Sequence, residues 1–461
     1  MVADVYTLDE ARQRLERETA AEPAIAFEDF YAVMPMHAYV YTRNCEMWPA
    51  ASINSRLPSI EVGTGKDGKP VKIKAAQWLD QTRPVEQLTW APGEPQVVAD
   101  RLVSNGGWIQ HAGVSCFNLY LPPQRKPGDA DQADVWIEHV QRVYGDDASH
   151  IINWLAHRAQ RPGEKINHAL LLGGAQGIGK DTILEPLKHA VGPWNFSEVS
   201  PTQILGRFNG FLKSVILRVS EARDLGEFDR FGFYDHMKAI TAAPPDVLRC
   251  DEKNIREHSV FNVTGVIITS NNKVNGIYLP PDDRRHFVAW SSLTKEDFSP
   301  DYWQRLWGWY VKGGIWDVCA YLASLRLADF DPKAPPPKTG AFYDIVDANR
   351  APEDAELADA IDALVSAQQA SGVSYAGLVL TLEDVATYAA SDEFRAWMRD
   401  RRNSRQIPHR FEAVGYVPVR NAAKDGYWKI GAKRVAIYGK KELSEHDRQA
   451  AATALVVRER R

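Results

Sequence analysis

A glycine-rich run, Gly173-Gly174-Ala175-Gln176-Gly177-Ile178-Gly179-Lys180-Asp181-Thr182, constrains this chain more than any other feature. It follows an apolar stretch, His168-Ala169-Leu170-Leu171-Leu172, that reads as a buried strand. It leads into Ile183-Leu184, which reads as the start of a helix. The spacing from Gly174 to Gly179-Lys180 fits a phosphate-binding loop. Glycines let successive N–H groups curl around a triphosphate. Lys180 would reach the β- and γ-phosphates, and the helix N-terminus adds a positive dipole. The candidate ATP-binding set is therefore Gly174, Ala175, Gln176, Gly177, Ile178, Gly179, Lys180, Asp181 and Thr182. The residue after the lysine is normally Ser or Thr, whose hydroxyl helps hold Mg²⁺. Here it is Asp181, so either Asp181 or the following Thr182 takes the metal. A second Gly-Lys pair, in Gly63-Thr64-Gly65-Lys66-Asp67-Gly68, lacks the upstream glycine and the following helix. It reads as a hairpin turn built on Asp67-Gly68.

The 461 residues suffice for two to four domains. No apolar run is long enough to span a bilayer, and the N-terminus lacks a basic-then-apolar signal pattern. Cys45, Cys116, Cys250 and Cys319 lie far apart, so neither a zinc ribbon nor a disulfide framework is indicated and a reducing cytoplasm is expected. The net charge of −5 excludes a basic nucleic-acid coat; nucleic-acid contact would need a local basic surface.

Residues 1–150 mix short strands and turns into an α+β region. Strands and helices then alternate over about 151–330, as in an α/β sheet. Trp303, Leu306, Trp307 and Tyr310 recur at helical spacing and read as a packed apolar face. The proline-rich stretch 331–340 reads as an extended linker. Beyond it, in 341–461, come a helix at 354–367 and a basic block that includes Arg402, Arg405 and Arg410. Strand-like pieces follow at 415–419, 427–430 and 434–438. Helices followed by a basic hairpin suggest a small winged-helix-like domain. Its arginines either contact DNA or form an ordinary solvated face.

Three further pieces complete a nucleotide-hydrolysing set. Ser214-Val215-Ile216-Leu217-Arg218-Val219-Ser220-Glu221 reads as a second buried strand ending in an acid. Glu221 fits the place of a carboxylate that orients the attacking water and assists the Mg²⁺ site, while Ser220 stands where an acid often precedes it. Val263-Thr264-Gly265-Val266-Ile267-Ile268-Thr269-Ser270-Asn271 is an apolar strand whose Asn271 would bridge the γ-phosphate and the water. Shortly after it, Arg284 or Arg285 would act as an arginine finger on ATP held by a neighbouring subunit, or pair with Asp282 or Asp283.

Together with Phe117-Asn118-Leu119-Tyr120, Trp154-Leu155-Ala156 and Gln160, these motifs resemble superfamily III helicases of the AAA+ class, most nearly the primase-helicases of phages, prophages and plasmids. The resemblance is strongest between about 150 and 290. It implies a P-loop AAA+ core, a ring, usually hexameric, that hydrolyses ATP between subunits and threads single-stranded DNA, and an N-terminal collar. It further implies that the strand-turn-strand at 247–260 grips DNA in the ring channel through Lys253, Arg256 and His258. The bland alternative is an ordinary charged surface hairpin. Residues 1–150 carry no zinc-binding primase signature, so priming would fall to a separate primase or polymerase. The expected activity is ATP-dependent helicase action on single-stranded or forked DNA, in a bacterial cell or phage-infected host. The alternative is an ATP-regulated oligomeric signalling or DNA-binding initiator ATPase that does not unwind.

Overall fold

The structure is a computed structural model that describes residues 25–220, 226–253, 255–273, 277–348, 352–400, 403, 407–421, 426–431 and 433–458. The chain divides into two compact units, one ending at Val346 and the other beginning at Asp347. Both mix helices and strands. No described helix is long and apolar enough to cross a membrane.

The first unit is built on a five-stranded, wholly parallel sheet. Its strands are β1 (Ala169–Gly173), β2 (Phe196–Val199), β3 (Ile216–Val219), β4 (Gly265–Ser270) and β5 (His286–Trp290), in the spatial order β2-β3-β4-β1-β5. Parallel sheets are covered on both faces, so their strands run continuously apolar. Every residue of β1, β3 and β4 is buried. The register pairs Gly173 with Ser270 on one side and with Trp290 on the other. The ends of β1 and β4 thus sit side by side.

Three helices matter for the site: α1 (Asp134–Tyr144), α2 (Ala148–Gln160) and α3 (Lys180–Val191). The α1 indole of Trp136 donates to the carbonyl of Ile183 at 3.0 Å, and that of Trp154 in α2 donates to His168 at 3.1 Å. A helix at Ile315–Ser324 packs on both α2 and α3.

The N-terminal region forms small sheets that belong to the same unit. One joins Phe30–Val33, Ala38–Tyr41, Met47–Pro49 and Pro84–Val85; another joins Gln87–Thr89, Val97–Ser104 and Gly107–Asn118. The Gly63–Gly68 decoy is a hairpin end, with Ile60–Thr64 paired antiparallel to Pro70–Ile73.

Two sequence expectations need correction in this unit. The stretch 331–340 is not a free linker. Pro332 accepts from the Asn167 amide at 2.8 Å, Lys338 donates to the Pro281 carbonyl at 2.6 Å, and Thr339 donates to the Val288 carbonyl at 2.6 Å. The helix that follows buries Phe342, Ile345 and Val346 in the main core, which carries the boundary past 340. In the helix Pro300–Trp309, Leu306 is buried as expected but Trp307 is 45% exposed. Tyr310 is buried as expected, and the helix then breaks at Gly313, whose φ is 119°, before the next helix begins at Ile315.

The second unit has a long helix, Pro352–Ala370, and a three-stranded antiparallel sheet of Val379–Thr381, Ile437–Lys440 and Tyr416–Val419. Helices Leu382–Thr387, Asp392–Arg399 and Ile407–Ala413 share one apolar core with that long helix. The stretch 434–438 is not one strand: Lys433–Val435 pairs with Trp428–Ile430, whereas Ile437–Lys440 joins the main sheet. Arg402 and Arg405 lie outside the described residues. Arg410 lies over the Trp397 ring, 5.9 Å from its centre.

Candidate nucleotide site

The glycine loop leaves β1 and bends through positive φ at Gly174 (139°), Gly177 (86°) and Gly179 (88°). Side chains rarely adopt such angles, so glycine is required there. Gly179 has a second constraint: a Cβ would fall 2.5 Å from Nε2 of His139 and 2.7 Å from the Trp303 ring. His139 is fully buried in α1; its Nε2 lies 3.2 Å from the Gly179 carbonyl and its Nδ1 2.7 Å from the Tyr302 hydroxyl. Burial pulls its pKa down to about 4, so the ring is neutral at pH 7 and fixes the loop by hydrogen bonding rather than charge.

Lys180 opens α3. Its ammonium donates to the carbonyls of Gly174 and Ala175 and to Oδ1 of Asn271, each at 2.7 Å. The lysine and the asparagine are 91 residues apart in sequence yet meet at the adjoining ends of β1 and β4. Burial lowers the Lys180 pKa to about 8, with Asp181 raising it and Arg218 lowering it.

These groups line a cavity of about 490 Å³ together with Gln176, Gly177, Gly179, Asp181, Thr182, Glu198, Arg218, Ser220, Thr269 and Trp303. Of the two metal candidates, the Asp181 side chain is 73% exposed in this setting, whereas Thr182 is 7% exposed and its carbonyl accepts from Tyr310. Gly174, Ala175 and Ile178 complete the loop, with Ile178 buried in the core beneath it. Ser220, just past β3, reaches the cavity; Glu221 itself lies outside the described residues.

Sequence reasoning missed four lining or supporting groups: Arg218, Glu198, His139 and Trp303. A charged residue inside the apolar run Ile216-Leu217-Arg218-Val219 was the available signal. Its guanidinium is bonded to Asp181 and, at 3.1 Å, to Glu198.

Arg284 and Arg285 are not near this cavity. The register sets Ala169 against His286 and Gly173 against Trp290. The arginines therefore stand at the opposite end of the sheet, four residues or roughly 13 Å along the strand. Arg284 is exposed and Arg285 half-buried. Asp283, the expected structural partner of one of them, instead accepts from the Tyr234 hydroxyl at 2.8 Å and the backbone N–H groups of Arg285 and His286 at 3.0 Å, beside the His286 ring at 3.2 Å.

The 247–260 segment is an antiparallel hairpin, Val247–Glu252 with Ile255–Phe261. Lys253 and Arg256 are exposed at its end. The acids beside them are already paired: Asp251 with Arg207 at 3.1 Å, Glu252 with Lys213 at 2.6 Å and Glu257 with Arg249 at 2.7 Å. His258 does not belong with the exposed bases. It is 7% exposed and turned inward, because its strand is bound to the N-terminal region: Thr89 Oγ1 donates to the Ser259 carbonyl at 3.0 Å and the Phe261 amide donates to Trp90 at 3.3 Å. Cys250, Glu252 and His258 bring ligand atoms within 4.8 Å of one another, but the Lys213 ammonium already supplies the cation for Glu252.

A family of unknown function, DUF5906, matches residues 171–285, which span the loop, β3, the hairpin, β4 and the arginine pair. No curated protein matches. Among solved structures, the apo structure of the NrS-1 C terminal region (305–718) is similar over 89% of this chain and 95% of its own, with 16% identity and a TM-score of 0.59. The A form apo structure of the same region gives 15% identity and a TM-score of 0.57 over 89% and 96%. An X-ray structure of JCV Helicase is similar over 53% of this chain and 64% of its own, at 12% identity and a TM-score of 0.28. At these identities the NrS-1 likeness establishes a shared fold.

Proposed function

We propose that this chain is an ATP-dependent DNA helicase that works as a ring, usually a hexamer, on single-stranded or forked DNA during phage or mobile-element replication. The observation that carries the reading is the meeting of Lys180 and Asn271 inside one cavity at the ends of adjacent parallel strands. The strand order β2-β3-β4-β1-β5 and the NrS-1 likeness support an AAA+ core, and the helices and small hairpin of the second unit support a winged-helix-like domain.

ATP and Mg²⁺ fit the residues present. The cavity holds a cationic side chain, a loop of backbone donors at a helix N-terminus and an exposed carboxylate. Lys180 and the loop N–H groups would bind the β- and γ-phosphates. Asp181 is the better placed of the two candidates for the metal, which would neutralise phosphate charge. Glu221 would take the proton of the attacking water, and Asn271 would leave Lys180 to orient that water against the γ-phosphate. Arg284 and Arg285, at the far end of the sheet, would reach only the nucleotide of a neighbouring copy, where a finger is worth about 10³–10⁵ in rate. Lys253 and Arg256 would grip the DNA backbone. The N-terminal region would serve as the collar, and a separate primase or polymerase would start synthesis.

The test is strand displacement on a forked duplex with ATP. Wild-type protein should separate the strands and Lys180→Ala should not. ATP hydrolysis without displacement would favour the assembling ATPase that never unwinds, and full ATP turnover by Lys180→Ala would remove the site assignment.

A further inference from the structure

In the middle of β3, Arg218 is a charged residue in a strand whose other members, Ile216, Leu217 and Val219, are fully buried. It is itself 9% exposed, and its guanidinium lines the nucleotide cavity. One terminal nitrogen is bonded to Oδ1 of Asp181 and lies 3.5 Å from the Thr269 hydroxyl; the other is 3.1 Å from Glu198 Oε1. Glu198 is also paired with Lys188 at 3.1 Å. Among the described residues, the charged groups lining the cavity are two cations, Lys180 and Arg218, and two anions, Asp181 and Glu198. A site for a triphosphate gains nothing from a carboxylate at the position where a neutral hydroxyl would do, unless that charge is offset.

We infer that Arg218 is the built-in counter-charge for Asp181: a positioning residue that holds one carboxylate oxygen, leaves the other free for the metal, and cancels the repulsion between Asp181 and the phosphates. This deepens the nucleotide-site reading and rests on it. The arrangement has a consequence for metal dependence. Arg218 offsets Asp181 when no divalent cation is present, so nucleotide binding in its absence depends on the arginine. When Mg²⁺ is present, the cation shares that role.

The test is calorimetric ATP binding by the full chain, once with Mg²⁺ and once with EDTA, for wild type, Arg218→Gln, Asp181→Ser and the double variant. Arg218→Gln should lose at least about tenfold in ATP affinity in EDTA and distinctly less with Mg²⁺. Asp181→Ser, at an exposed helix-start position, should gain affinity in EDTA, because Arg218 then keeps only Glu198 as an anionic partner and the nitrogen released from Asp181 faces the phosphates. The double variant should recover most of what Arg218→Gln lost. Equal losses for Arg218→Gln in both backgrounds, independent of Mg²⁺, would overturn the inference and make Arg218 a structural or direct phosphate contact. If Arg218→Gln does not fold by circular dichroism, Asp181→Ser decides alone, and unchanged EDTA affinity in it overturns the inference. A wild-type protein that binds no ATP with Mg²⁺ would instead refute the nucleotide-site reading.

Discussion

Replacing Asp283 tests how the arginine pair is held. This carboxylate is 4% exposed and accepts from Tyr234 and from the amides of Arg285 and His286. Burial pushes its pKa up, but the hydrogen bond and charge of His286, then Tyr234 and the Arg285 amide, outweigh burial and hold it down from 3.8 to about 2. That difference corresponds to roughly 2.5 kcal/mol of stability at neutral pH. The sign follows from a depressed carboxyl pKa: the contribution is complete above about pH 4 and is lost as pH falls through about 2. Asp283→Asn should therefore cost about 2–3 kcal/mol at pH 7, and the gap from wild type should shrink to about half at pH 3. Asp283→Ala strands several buried donors and should cost about 3–5 kcal/mol. Urea unfolding followed by tryptophan fluorescence measures both. Loss of this anchor would also displace Arg284 and Arg285, so ATP turnover should fall at least tenfold while ATP affinity stays within about twofold. A cost below about 1 kcal/mol for Asp283→Ala, or a gap that ignores pH, would refute the reasoning.

ATP affinity should fall by up to about tenfold per pH unit above pH 8, because bound phosphates raise the Lys180 pKa from about 8 and binding then requires proton uptake; titrations in buffers of different ionisation enthalpy measure the uptake. Gly173→Ala should cost about 1–3 kcal/mol in unfolding experiments, since its Cβ would stand 2.0 Å from the Trp290 ring on β5. Lys253→Ala combined with Arg256→Ala should weaken single-strand binding and flatten its dependence on salt; an unchanged slope in anisotropy titrations would remove the hairpin end from the DNA path.

The parallel core was legible because its strands are short, apolar and separated by helical patterns, and because glycine at three left-handed positions leaves few alternatives to a loop. Lys180 and Asn271 were legible singly; their contact was not, since strand order lies outside local pattern. Arg218 was hidden because its role depends on Asp181 and Glu198, which approach it from other elements. The prolines at 335–337 read as linker by composition, but their neighbours are anchored by tertiary hydrogen bonds that no local signal carries. His258 misled for a related reason. The resemblance of its hairpin grouped it with Lys253 and Arg256, whereas its strand is covered by a residue 170 positions earlier, as the Thr89 bond to Ser259 shows.

That same attachment changes what can move. With Ser259 and Phe261 tied to Thr89 and Trp90, the hairpin cannot swing as a lone finger. A displacement of its end would carry the sheet of Gln87–Thr89, Val97–Ser104 and Gly107–Asn118 along, so the two form a plate with a spike rather than a spike alone.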